Sequence, residues 1–154
     1  MNKLIAKTLI TVLAWQGFLL ASPVAVHAQE QCPAPVTVEI DVKPPDGANK
    51  INLSSRGLLP VAVLTTETFD ASLFTPEMAH LSDARTAMGC SGAQAVRWTY
   101  TDVNGDDRLD LLFFFRVQEL NLTSSTMAVT LMAHGAYDSL PTHVEGTDTV
   151  IVKS

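Results

Sequence analysis

Val36-Thr-Val-Glu-Ile-Asp-Val42 alternates strictly between apolar and polar residues, which as a strand puts Val36, Val38, Ile40 and Val42 on one face and Thr37, Glu39 and Asp41 on the other. A helix would scatter the same residues around its axis, so this segment reads as a half-buried strand. The period of two returns in Leu58 to Thr66, where Val61 and Val63 oppose Ala62 and Leu64. It returns again in Val96, Trp98 and Tyr100, and in Met127, Val129 and Leu131 within Thr126 to Ala133. Leu111-Leu-Phe-Phe-Phe115 is apolar on both faces and reads as a central strand. Ile51 to Leu53 and Thr149 to Val152 are shorter candidates.

The breaks between these runs are chemical. Pro44-Pro45-Asp46-Gly47 ends the first strand, and Pro60 restricts the start of the next to an edge or a strand end. From Thr68 to Ala93 the apolar residues Phe69, Leu73, Phe74, Met78 and Leu81 lie irregularly among Asp, Ser, Thr and Pro76. That stretch is expected to be a long loop with one short strand or helical turn. Short strands, turn residues between them and almost no helix-period segment predict an all-β fold, an antiparallel immunoglobulin-like β-sandwich of about seven strands.

Residues 1–28 read as a secretory signal peptide. Lys3 and Lys7 precede an apolar run from Leu9 to Leu20, and Val26-His27-Ala28 supplies the residues a cleavage point requires. Cleavage before Gln29 leaves residues 29–154 as a single β-sandwich domain, secreted to the periplasm or outside the cell. No second apolar stretch of about 18 residues follows, so no membrane span is expected after signal cleavage. Gln29-Glu30-Gln31 lacks the small apolar residues that precede a lipidated cysteine, and no dockerin module or membrane-sorting tail follows Ser154, so this copy is expected to act alone. Cys32 and Cys90 are the only two cysteines. In an exported chain such a pair is more often a disulfide than a thiol site, and closure would stabilise the fold by about 4 kcal/mol in the chain-entropy model. Two free thiols are the other reading.

The leader takes two of the ten Lys plus Arg but none of the sixteen Asp plus Glu, so the exported part is strongly acidic. That balance excludes nucleic acid as a partner and suits a bound cation. The segment that carries chemistry is Asp102-Val-Asn-Gly-Asp-Asp-Arg-Leu-Asp110. It places oxygen-bearing side chains at loop positions 1, 3, 5 and 9, the spacing by which one tight loop turns several oxygens onto a calcium ion. Asp102, Asn104, Asp106 and Asp110 are the side-chain candidates, and the carbonyl of Arg108 serves at position 7. Position 12 is Phe113 rather than Glu, and the flanks are strands, so a remote oxygen or water must complete the shell. Asp41, Asp70 and Asp83 are the first acids to consider for that role. Asp107 stands at position 6, where glycine is usual because the chain needs a positive φ; Asp enters that region at a cost of about 1 kcal/mol. A plain polar turn is the alternative, since Asp, Asn and Gly are also turn residues. Four phased oxygens exceed what a turn needs, and crowded acids repel one another unless a cation intervenes.

Asp41-Val-Lys-Pro44, Asn49-Lys-Ile-Asn-Leu53, Gly57-Leu-Leu-Pro-Val-Ala-Val-Leu64 and Asp102-Val-Asn-Gly-Asp106 with Asp110-Leu111 together resemble a domain found in many secreted bacterial proteins. Its pattern is an "IDIKPGS…N.IN…G.IPVAIL" block followed by "DVNGDG..DL". The similarity continues through Phe115 to Leu122 and ends with Gly146-Thr-Asp-Thr-Val-Ile-Val152, spanning nearly the whole exported chain. The resemblance implies an extracellular β-sandwich with a calcium-type loop, accessory to surface or secreted proteins and without an established reaction. Three departures stand out: Pro45 and Asp46 replace Gly-Ser, Asp107 replaces glycine, and the turn around Met132 to Tyr137 is altered.

An enzyme is not expected. His80, His134, His143 and Ser91 sit in no motif that joins nucleophile, base and orienting group, and the histidines read as surface loop residues. Zinc is disfavoured because no two His or Cys stand at ligand spacing. Leu112 and Phe114 share the strand face opposite Leu111, Phe113 and Phe115; the segment Phe69 to Leu81 is expected to cover them, the alternative being an exposed patch. Trp98 and Tyr100 are expected in the core. The function expected is a secreted, non-catalytic calcium-binding module with a structural metal loop. Its alternative is a calcium-dependent adhesion module with an extracellular protein or glycan partner.

Overall fold

Alternating valines and a doubly apolar Leu-Phe run need a sheet that buries one face along most strands and both faces at its centre. The computed structural model describes residues 34–87 and 91–154; the expected signal peptide, both cysteines and their pairing lie outside the described residues. Within them the chain forms β1 (Val36–Thr37), β2 (Ile40–Val42), β3 (Lys50–Asn52), β4 (Leu58–Val63), β5 (Phe74–Asp83), β6 (Ala93–Thr101), β7 (Asp110–Arg116), β8 (Ala128–Tyr137), β9 (Leu140–Thr149) and β10 (Ile151–Lys153). Among the described residues helix is confined to the 3-10 turns Ala71–Leu73 and Val117–Glu119. No helix among the described residues is long and apolar enough to cross a membrane.

Eight strands make one large curled sheet in the order β1-β9-β8-β5-β6-β7-β4-β2, while β3 and β10 form a separate parallel pair. The curl follows from two segments that change partners along their length. Val36–Thr37 pairs in parallel with Val144–Glu145 of β9, whereas Ile40–Val42, three residues on, pairs antiparallel with β4. The crossing is bridged by the Val38 amide donating to Glu145 O and the Leu64 amide donating to Glu39 O, both at 2.9 Å. The two ends of the sheet are thus one stretch of chain. Similarly, β6 pairs with β5 only at Gln94 and Ala93, then runs along β7 after a register shift between Ala95 and Arg97.

The alternation of Val36–Val42 is realised as one interrupted strand, with Val38, Ile40 and Val42 buried and only Val36, 42% exposed, outside the core. Gly146 marks where β9 passes beneath the crossing: a Cβ there would lie 2.5 Å from Ile40 Cγ2 and 2.8 Å from Val38 O. Val61, Val63, Leu111, Phe113, Phe115, Phe74, Leu81, Val129, Leu131 and Val144 all join one buried cluster.

Pro60 sits within β4, opposite Phe114, yet at a point where its neighbour strand has ended. Lys43 donates its amide to Pro60 O, but the Lys43 carbonyl that would need a donor from residue 60 accepts from Asp46 instead, at 2.8 Å. A proline costs no ladder bond there.

Four expectations differ from the structure. Phe74–Asp83 is a ten-residue strand rather than loop; the irregularity that hid it is a bulge between Pro76 and Met78, which breaks the period of two. Phe69, Ala71, Phe74, Ala79 and Leu81 from this stretch enter the core. What lies on the Phe114 ring is the Arg97 guanidinium, 3.9 Å from its centroid. Trp98, expected inside, is 42% exposed, because beyond Gln94 one edge of β6 has no strand beside it. Tyr100 is only partly buried against the core, its hydroxyl donating to Phe74 O at 2.7 Å. The strand segments number ten among the described residues, against about seven expected, since short segments switch partners and Leu140–Thr149 was too mixed in composition to read as a strand.

Candidate functional site

Thr101 and Asp110 close the β6–β7 pair, so residues 102–109 form the connection between two neighbouring strands of the curled sheet. Its shape comes from Asx turns, in which a short side-chain oxygen accepts an amide two residues on. Asp102 Oδ1 accepts the amides of Gly105 at 2.7 Å, Asn104 at 3.2 Å and Asp106 at 3.3 Å, and Oδ2 accepts that of Asp107 at 3.0 Å. Asn104 Oδ1 accepts from Asp106 N at 3.1 Å, and Asp106 Oδ1 from Arg108 N at 3.0 Å. The side-chain oxygens at positions 1, 3 and 5 therefore each turn back over their own loop. Gly105 and Asp107 carry the left-handed backbone this winding requires, with φ of 78° and 63°.

These contacts set the electrostatics. The Gly105 amide, and then those of Asp107, Asp106 and Asn104, hold the Asp102 carboxyl below its ordinary value. The Asp106 carboxyl is held low chiefly by the Arg108 side chain, whose Nη2 and Nε lie 2.8 Å and 3.1 Å from Oδ2. Both are carboxylates at neutral pH, the form a hard cation binds.

Asp110 differs from the other candidates. It is fully buried, Oδ1 accepting the Thr65 amide at 2.8 Å and Oδ2 the Val103 amide at 3.0 Å. Thr65 completes the joint by donating its hydroxyl to Leu109 O at 2.6 Å. Asp110 thus fastens the base of the loop to the end of β4, each oxygen keeping one lone pair unspent. Sequence reasoning named Asp110 and missed Thr65, whose link spans 45 positions and left no local signal.

The three remote acids serve elsewhere. Asp70 accepts the amide and hydroxyl of Ser72 at the 3-10 turn. Asp83 is buried between Arg85 and Thr126, its Oδ2 accepting the Thr126 hydroxyl at 2.7 Å. Asp41 lies on β2 near Asp148, and burial first, then Asp148, raises its carboxyl.

The loop has the left-handed turns and the side-chain oxygens of Asp102, Asn104 and Asp106 at the spacing a calcium loop uses, but the Arg108 guanidinium is paired with Asp106. Among the described residues no three His, Cys, Asp or Glu are gathered as a metal cluster, so a cation would have to draw the loop's oxygens together.

The histidines are not loop residues. His80, His134 and His143 lie in β5, β8 and β9, and His134 stands directly opposite His143 with ring centroids 4.2 Å apart and planes inclined by 21°. A spacing of nine residues gave no sign of this pairing, which the tight turn between β8 and β9 creates.

Fold and loop together define an all-β domain with a curled sheet and an acidic strand connection. No family model, curated protein or solved structure matches the chain.

Proposed function

We propose that the chain is a secreted, non-catalytic calcium-binding module, its curled sheet an immunoglobulin-like sandwich and its β6–β7 loop holding one Ca2+. Asp102, Asn104, Asp106, Asp110 and the carbonyl of Arg108 are the ligands, water completing the shell. The observation that carries this reading is the φ of 63° at Asp107: position 6 adopts the left-handed turn a calcium loop demands although the residue is not glycine. The phased oxygens of Asp102, Asn104 and Asp106 within the same loop add to it. The order of the two sequence blocks supports the same placement among secreted bacterial domains.

The ion's role is structural. It takes over Asp106 from Arg108, relieves the repulsion among the loop acids and, through Asp110, stiffens the joint between β7 and the end of β4. An affinity of about 10⁻⁴ to 10⁻³ M suffices outside a cell. Calorimetric titration of the metal-stripped protein tests this. Saturable binding is expected, lost in Asp106→Ala. Arg108→Ala should bind more tightly, since the guanidinium that competes for Asp106 is gone. Absence of binding to several millimolar in both the wild type and Arg108→Ala overturns the reading.

The half-exposed Trp98 on the same strand pair favours a second reading, calcium-dependent adhesion to a glycan on which the indole stacks. Trp98→Ala would then abolish glycan retention while leaving calcium binding intact.

A further inference from the structure

We propose that the free edge of β6 is a self-association surface, on which a second copy of the chain pairs antiparallel about a two-fold axis at Thr99. Beyond Gln94 the strand leaves β5 and keeps β7 on one side alone. Val96, Arg97, Trp98 and Thr99 are exposed in succession, so both faces of the strand meet solvent there. Such an edge presents backbone donors and acceptors to any extended chain, and proteins commonly blunt it with lysine, proline or a bulge. Ala95-Val-Arg-Trp-Thr-Tyr-Thr101 contains no lysine, proline or acid, and its one cation, Arg97, lies over the Phe114 ring. The bulge between Ala95 and Arg97 blunts only the start, leaving Arg97–Thr101 as regular ladder. Tyr100 is held by its hydroxyl bond to Phe74 O at 2.7 Å, and Trp98 rests edge-on against it with ring centroids 5.3 Å apart. The two rings are therefore set before any partner arrives.

What fits this edge is its own copy, and the register follows from symmetry and charge. A two-fold axis normal to the sheet keeps every side chain on its own face, so one residue must stand opposite itself. Centred on Arg97, the pairing would set two guanidinium groups against each other, which opposes association. Centred on Trp98 it would run into the bulge at once, and centred on Tyr100 it would bring Trp98 against Asp102, where the strand has ended. Centred on Thr99 it uses all of Arg97–Thr101. Trp98 of each copy then opposes Tyr100 of the other, the kind of aromatic cross-strand pair that stabilises sheets, and threonine meets threonine on the axis. Arg97 comes opposite Thr101, beside the acidic loop that begins at Asp102.

Charge favours the same occupant. With sixteen Asp plus Glu against ten Lys plus Arg, two copies repel over most of their surfaces, whereas each β6 brings a cation and no acid to the joint. Because each edge satisfies the other, the pairing closes at two copies. A ladder this short makes a small interface, so the dimer forms reversibly.

Sedimentation equilibrium in chelator, at up to about 1 mM protein so that a weak dimer is populated, tests the proposal apart from calcium binding. The wild type is expected to dimerise, and Thr99→Lys and Thr99→Glu, each placing like charges on the axis, to weaken the dimer by about tenfold or more. Mixing the two variants should restore it, because opposite charges then meet. In a half-labelled wild-type sample, nuclear Overhauser contacts between copies should join the Trp98 indole to the Tyr100 ring, a readout that needs no variant. A monomer at every concentration would overturn the proposal and leave the edge to an extended segment of another protein. A dimer indifferent to both substitutions, a mixture that stays monomeric, or contacts between copies that omit Trp98 would overturn it equally.

Discussion

Asp110 Oδ1 lies 2.8 Å from the amide of Thr65, a residue 45 positions earlier, and this one bond ties the acidic loop to the end of β4. Asp110 is fully buried, and its two oxygens serve the buried Thr65 amide and the part-buried Val103 amide. Asp110→Ala is expected to destabilise the protein by about 2 kcal/mol, since it strands the buried Thr65 amide and frees the Val103 amide. Urea denaturation measures this; a loss below 1 kcal/mol would mean that water enters and satisfies the amides.

Acid stability should depend on Asp83. The Arg85 side chain, with Thr126 and the Arg85 amide, holds its carboxyl far below the usual range. A group depressed in the folded state contributes stability that is fully present above its unfolded value of about 3.9 and lost as pH falls toward the folded value. The wild type is therefore expected to lose stability below about pH 4 more steeply than Asp83→Asn, with the two curves becoming parallel at higher pH. Parallel curves throughout would exclude Asp83 as a source of acid lability.

Replacing Asp107 by glycine should relax the loop. At a φ of 63° the side chain adds strain that glycine avoids, so Asp107→Gly is expected to raise stability by about 0.5–1 kcal/mol without metal. The melting temperature read in chelator reports this, and a fall would mean that the Asp107 side chain contributes more than its backbone strain costs.

At Gly146 the opposite change is harmful. A methyl group would meet Ile40 Cγ2 at 2.5 Å and Val38 O at 2.8 Å, and the second is backbone that cannot turn aside. Gly146→Ala should cost about 1–3 kcal/mol by forcing β9 away from the crossing segment. Chemical denaturation with an unchanged midpoint would show that the crossing is loose.

Much of the strand content was legible because a half-buried strand writes its burial into alternate residues. Val36–Val42, the stretch beginning at Leu58, the Leu111 run and the stretch ending at Ala133 all correspond to observed strands. Phe74–Asp83 escaped because the bulge at Glu77 shifts the phase midway, and Leu140–Thr149 because His143, Gly146 and polar residues interrupt the pattern. The loop candidates were legible as a spacing of oxygens. The partner of Asp110 was not, because Thr65 lies 45 positions away and only folding brings its amide to the carboxylate.

Local chemistry in the sequence determined the strictly alternating strands, the break at Pro44 to Gly47, and that Asp102 to Asp110 is an oxygen-rich connection. Those properties depend on neighbours within a few positions. The tertiary structure alone decided that one segment closes both ends of the curled sheet, that Asp110 answers to Thr65, and that His134 faces His143. Register and curl arise from pairing between distant strands, and no local pattern encodes which distant amide a carboxylate will meet.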